Sequence, residues 1–117
     1  RTCIADDLVY RDHRKLGLGT LDCDEFVAAV RMHRDLASDL RTETDHLLGW
    51  NRHGCVAAMH QYGTVPDGGP FENVFLRMIV ADGDRIRHFE TFDVADADRA
   101  LARFEELCAE RAREPPA

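Results

Sequence analysis

The sequence is poor in lysine, with Lys15 alone among its 117 residues, and it has one tryptophan, two tyrosines and four prolines. It also has no long apolar run. No window approaches the ~18 to 20 apolar residues that a membrane-spanning helix needs, and nothing at the amino end resembles a signal peptide, so no membrane partner is expected. The four cysteines, Cys3, Cys23, Cys55 and Cys108, are scattered, with no CxxC pair and no Cys/His ligand spacing. That argues against a closed zinc site. A domain of this length builds its own core without needing a disulfide, so reduced thiols and a cytoplasmic location are expected. Positive charge is short too: 15 Lys and Arg against 22 Asp and Glu leave a net charge of -7. The general attraction to phosphate on which nucleic-acid binders rely is therefore missing, and no nucleic-acid partner is expected. The excess of arginine over lysine fits coding bias in a GC-rich genome and carries no mechanistic weight.

What is present is the ordinary composition of a folded domain, 44% hydrophobic and 32% charged. The chain shows no internal repeat, low-complexity tract or linker, so residues 1–117 read as a single domain with one core.

Leu8, Val9 and Tyr10 form a β-prone run that ends in the charged stretch Arg11 to Lys15 and in Gly17 and Gly19. Asp22 precedes Glu25 by three residues, an acidic capping box, and Phe26, Val27, Val30 and Ala37 follow at helical spacing; the pattern predicts a helix from about Asp22 to Leu36. From Leu40 the period changes to two, with Leu40, Thr42, Thr44, His46, Leu48 and Trp50 on one face. Asn51 to Gly54 supply a turn and Cys55 to Val65 a returning strand, a hairpin. Pro66 to Pro70 form a second loop. Phe71 to Ala81 is rich in Phe, Val, Leu, Met and Ile on both faces, which predicts a central strand buried on both sides with Arg77 as the exception. Asp82-Gly83 is a tight turn, and Arg85 to Asp93 complete the strands. Asp96 or Asp98 caps a closing helix with apolar Ala97, Ala100, Leu101, Phe104, Leu107 and Cys108 and late Arg111 and Arg113, ended by Glu114-Pro115-Pro116.

This succession is an α+β layout in which a curved sheet wraps around helices. Asp6 to Arg14 (DDLVYRDHR), Tyr62 to Glu72 (YGTVPDGGPFE) and Ala81 to Asp93 (ADGDRIRHFETFD) resemble the SnoaL-like branch of the nuclear transport factor 2-like (NTF2-like) superfamily, and the likeness runs from about Asp6 to Leu107. It implies a cone-shaped fold. In that family a first helix closes the cone ahead of the DDLVY strand, where this sequence has only a few residues and opens at Arg1. The resemblance then implies either a helix in a further amino-terminal part or a partner chain over the open sheet, and similar proteins pair as homodimers through their sheets.

The family mixes enzymes with non-catalytic modules, so two readings stand. In one, the chain is a small-molecule pocket protein, a ligand-binding or dimerisation module that takes a small hydrophobic molecule. In the other, it is an enzyme doing acid/base chemistry of the polyketide cyclase, ketosteroid isomerase or epoxide hydrolase type. Similar enzymes work in the mouth of the cone with Asp, His, Tyr or Arg in an apolar cavity, which tunes a carboxylate or imidazole for proton transfer.

On the last strand, His88 and Glu90 interrupt a face shared with Ile86 and Phe92, which makes them the first catalytic candidates; the competing phase turns Phe89 and Thr91 inward instead. His60 stands on a small apolar face with Val56, Ala58 and Tyr62, and Glu72 across the loop is a group that would orient it. Asp12 and His13 match the segment where similar enzymes carry pocket residues, with Tyr10 beside them, but neighbours on a strand point to opposite faces, so at most one of the pair faces a pocket. Tyr10, Trp50, Phe75 and Glu72 are the ligand-binding candidates, with Phe71, Phe89 and Met78 as further lining or core. His33 and Arg34 read as a solvated helix face, and His46 and His53 carry no functional reading. His13, His60 and His88 lack a ligand spacing, so no metal or other cofactor is expected.

Overall fold

The computed structural model describes residues 4–15, 17 and 19–113. Cys3 and the helix stop read at Glu114 to Pro116 lie outside the described residues. Six strands and two helices follow in the order β1 (Ile4–Asp12), β2 (Gly19–Asp22), α1 (Cys23–Leu36), β3 (Arg41–Asn51), β4 (Gly54–Val65), β5 (Gly69–Asp82), β6 (Arg85–Phe92) and α2 (Ala97–Arg113), with a single 3-10 turn at Val94–Asp96. The strands form one open mixed sheet, ordered β2-β1-β6-β5-β4-β3. β1 and β6 are parallel and all other neighbours antiparallel. The α+β class and the strand–helix–four-strand–helix order are those read from sequence, while β2 is an addition: four residues hidden between a glycine-rich loop and a helix cap.

The helices lie on opposite faces of the sheet, which divides the core into separate clusters. α1 starts at a full capping box, in which the Asp22 carboxylate accepts from the Glu25 N–H at 2.9 Å and the Glu25 carboxylate accepts from the Asp22 N–H at 3.1 Å. Its Cys23 and Phe26 pack with Leu8 and Tyr10 of β1, joined by Ile86 and Phe89. α2 packs on β4 and β5, where Ala100, Phe104, Leu107 and Cys108 meet Val56, Leu76, Met78, Val80 and Phe92. This explains why β5 is apolar on both faces. Asp98 sits in the first turn of α2, but Asp96 belongs to the 3-10 turn, whose Asp96 N–H bonds the Asp93 carbonyl at 2.9 Å.

The register of β1 on β6 shifts between Ile4 and Val9, and irregularities also reset the alternation in β6 and β3. β6 pairs Ile86 with Ala81 but His88 with Val80, so Arg87 is the extra residue of a bulge and Ile86 joins the α1 cluster while His88, Glu90 and Phe92 turn toward α2. The shared face expected for Ile86 and His88 is thereby corrected. β3 shifts between Thr44 and His46 and again between Leu47 and Gly49. Its expected single face from Leu40 to Trp50 is also corrected: Thr42 lines the α1 side, and Leu48 packs on the α2 core.

Candidate functional site

Between α1 and the sheet lies a cavity of about 270 Å³. Phe26 on the buried stripe of α1 stacks on Tyr10, centroids 4.9 Å apart, and tilts against Phe89 at 5.0 Å; with Tyr10 and Phe89 5.6 Å apart, three rings from three elements form one wall. Further along α1, the exposed side chains of Val30, His33 and Arg34 reach the rim of the cavity, and Phe75 and Arg77 reach it from β5. The sheet supplies Thr42, Gln61, Asn73 and Thr91 as polar lining.

Of the sequence-derived candidates, Tyr10 and Phe75 line this cavity. The Tyr10 hydroxyl is 3.1 Å from Thr91 Oγ1, and burial pushes its pKa up from the ordinary value of 10.0. Asp12 shares the face of Tyr10 but stands behind Arg14. Its carboxylate accepts from the Arg14 backbone N–H at 3.1 Å and from Nε and Nη2 at 2.9 and 2.7 Å, a two-pronged clamp of the kind guanidinium and carboxylate favour. The clamp holds the Arg14 guanidinium 5.6 Å from the Phe75 ring centre.

Arg77 is the residue that strand periodicity flags without explaining. Its guanidinium lies 4.9 Å from the centre of Phe89 and 5.6 Å from that of Phe75. Its Nε is buried and makes no hydrogen bond among the described residues, and burial pulls its pKa below the ordinary arginine value. The signal in the sequence was a charge in the apolar run from Val74 to Ala81. His33, read as a solvated residue, also belongs to the cavity rim. Its Nδ1 bonds the Ala29 carbonyl at 2.7 Å, and since a carbonyl only accepts, Nδ1 carries a proton and donates it, leaving Nε2 turned away from the helix backbone.

His88 and Glu90 lie on the opposite face, under α2. Glu90 is 0% exposed and is held by His13, whose Nε2 lies 2.7 Å from Oε1, and by Arg103, whose Nε and Nη2 lie 3.2 and 3.3 Å from the two oxygens. Arg11 approaches to 3.9 Å. The His13 ring stacks on Phe92, centroids 4.3 Å apart at 11°. Asp12 and His13 therefore serve opposite faces, as strand alternation requires. His88 Nδ1 is buried with no hydrogen-bond partner among the described residues, and burial pushes its pKa below the ordinary 6.5.

His60 and Glu72 do come together, with Nε2 and Oε1 2.8 Å apart, though not in hydrogen-bond alignment. They lie in a shallow depression at the far end of the sheet with Tyr62 and Glu43, whose carboxylate accepts from the Tyr62 hydroxyl at 2.7 Å. Trp50, 69% exposed, and Phe71 do not line the cavity, and Met78 belongs to the α2 core. The sequence candidates thus separate: Tyr10 and Phe75 line the cavity with Asp12 behind Arg14, His88 and Glu90 lie under α2, His60 and Glu72 lie at the far end, and Trp50 is exposed away from the cavity.

No protein-family model matches the chain, and no curated protein matches it in sequence. Solved structures do match in fold. IdmH, a candidate polyketide cyclase from Streptomyces antibioticus, aligns with a TM-score of 0.66 at 20% identity over 87% of this chain and 84% of its own. An NTF2-like protein of unknown function from Burkholderia pseudomallei aligns at 0.60, with 21% identity over 86% and 80%. A protein with a ketosteroid isomerase-like fold from Catenulispora acidiphila, crystallised with trimethylamine, aligns at 0.64, with 13% identity over 80% and 72%. The chain has the NTF2-like fold. No helix among the described residues is long and apolar enough to cross a membrane.

Proposed function

We propose that the chain is a small-molecule pocket protein whose ligand lies between α1 and the sheet. The observation that carries this reading is the lining of the 270 Å³ cavity, in which Phe26, Phe75 and Phe89 surround a few convergent polar groups, the usual make-up of a ligand site. The size fits a small ligand, since an engineered apolar cavity of about 150 Å³ holds a benzene ring. Asp12 supports binding over catalysis, because both of its oxygens are engaged by Arg14 and neither is free to take a proton from a ligand.

Acid/base catalysis is the second reading, and His33 is what favours it: with Nδ1 turned to the Ala29 carbonyl, its Nε2 is the ring nitrogen left to exchange a proton at the rim. Both readings are tested by a panel of one- and two-ring molecules followed by calorimetry, with Ala29→Trp as the blocking variant, since Ala29 lines the cavity from α1. Binding is expected to disappear in Ala29→Trp. Ligands that bind the variant as well as the wild type would place the site elsewhere. Turnover of a bound ligand that is lost in His33→Gln with binding intact would establish the enzyme.

A further inference from the structure

We propose that the cavity selects a flat anionic ligand of one or two rings, an aromatic carboxylate or an acidic ring enol, and that Arg77 is the residue that reads its charge. The inference rests on the pocket reading above and adds the chemical class of the ligand.

The charge of the lining runs against the charge of the protein. The chain carries -7 overall, yet the cavity is lined by Arg14, Arg34, Arg77 and His33, with no aspartate or glutamate among the described lining residues. The three arginines are not equivalent. Arg14 is neutralised by the Asp12 carboxylate behind it. Arg34 lies on the exposed side of α1, where water screens it. Arg77 is half-buried in the sheet and has no carboxylate partner among the described residues; what holds it is the pair of ring faces of Phe75 and Phe89.

That arrangement suits recognition. A guanidinium stacked on rings keeps its N–H groups in its own plane, and those donors are left for an acceptor. Its Nε already lacks one. Burial of an unpaired charge is unfavourable, and an incoming anion removes the cost by forming a charge-assisted, two-pronged pair. The same rings that hold Arg77, with Tyr10 and Phe26 alongside, present aromatic surface to a flat ligand body. A carboxylate and a ring enolate share the feature that matters, an anionic oxygen in the plane of the ring. A bulky or highly charged phosphate ester does not match a small, mostly aromatic space with one unpaired cation.

The test uses isosteric probes that differ in charge: naphthoate, a hydroxynaphthoquinone in its ionised enol form, neutral naphthylmethanol and cationic naphthylmethylammonium, each titrated calorimetrically into the wild type, Arg77→Met and Arg77→Lys. At least one anion is expected to bind the wild type about ten-fold or more tighter than naphthylmethanol, the ratio a single charge-assisted bond supplies, and the cation is expected to bind more weakly still. Arg77→Met should erase the preference while keeping naphthylmethanol affinity, and Arg77→Lys, which keeps charge and loses the fork, should keep a smaller preference. If naphthoate is favoured and the quinone is not, the ligand class narrows to carboxylates; the reverse result narrows it to acidic enols. Equal affinity for the anions and the neutral probe, or a preference that survives in Arg77→Met, overturns the assignment while leaving the pocket reading intact. If Arg77→Met does not fold, an unchanged anion preference in Arg77→Lys overturns it instead. Failure of every probe to bind the wild type removes the pocket reading, and this inference with it.

Discussion

His13, the residue that follows β1, and Glu90 of β6 meet at 2.7 Å beside a parallel strand pair, 77 residues apart in the chain. The contact is set by register: Arg11 lies beside Glu90, and His13, two residues on along the same face, folds its imidazole over Phe92 to reach the carboxylate. Arg103 completes the cluster from α2, so one buried acid ties the parallel strands to the helix above them.

Glu90 is accordingly expected to matter for stability. Removing a fully buried carboxylate leaves Arg103 and His13 without their shared acceptor, a disruption of the size seen when buried ion pairs lose one member, about 3 kcal/mol. Urea denaturation of Glu90→Ala should show a loss near that value, with ligand affinity at the α1 cavity unchanged. A loss below about 1 kcal/mol would mean that the cluster behaves as a solvated surface pair.

His88 makes a pH prediction. Burial lowers its pKa in the folded state below 6.5, partly opposed by the Glu90 charge, so below the ordinary value the unfolded chain binds the proton more readily. The stability that His88 contributes as a neutral ring is complete above the unfolded pKa and is lost as pH falls through the lowered folded pKa. Denaturation midpoints measured from about pH 7 down to about pH 5 should fall more steeply for the wild type than for His88→Gln. Parallel curves would show that His88 is not the group responsible.

Gly54 opens β4 where it passes closest to β5. A methyl group there would overlap the Ile79 carbonyl oxygen, a backbone atom that cannot swing aside. Gly54→Ala is expected to destabilise the chain by about 1 to 3 kcal/mol, the usual range for overpacking, seen as a lower melting temperature. An unchanged melting temperature would mean that the hairpin end relaxes freely.

Local chemistry was legible without the fold. The Asp22–Glu25 capping box, the Asp82-Gly83 turn, the two-faced apolar character of β5 and the amphipathic α2 all depend on residues within a few positions of one another, and each stands in the structure where the pattern put it. β2 was not legible, since four residues beside a glycine-rich loop carry too little periodicity to be recognised as a strand.

The sequence by itself determined an α+β chain and marked Arg77 as an anomaly, because hydrophobic period and capping chemistry are local, while the NTF2-like type came from the resemblance of three of its motifs. Only the tertiary structure decided which face of each strand became the cavity. Alternation defines two faces without naming either, and the bulges at Arg87 and along β3 exchange them partway. With α1 on one side and α2 on the other, Phe89 and Thr91 went to the cavity and His88 and Glu90 to the helix, and Arg77 was left beside two aromatic rings with no acid among the described residues to pair with.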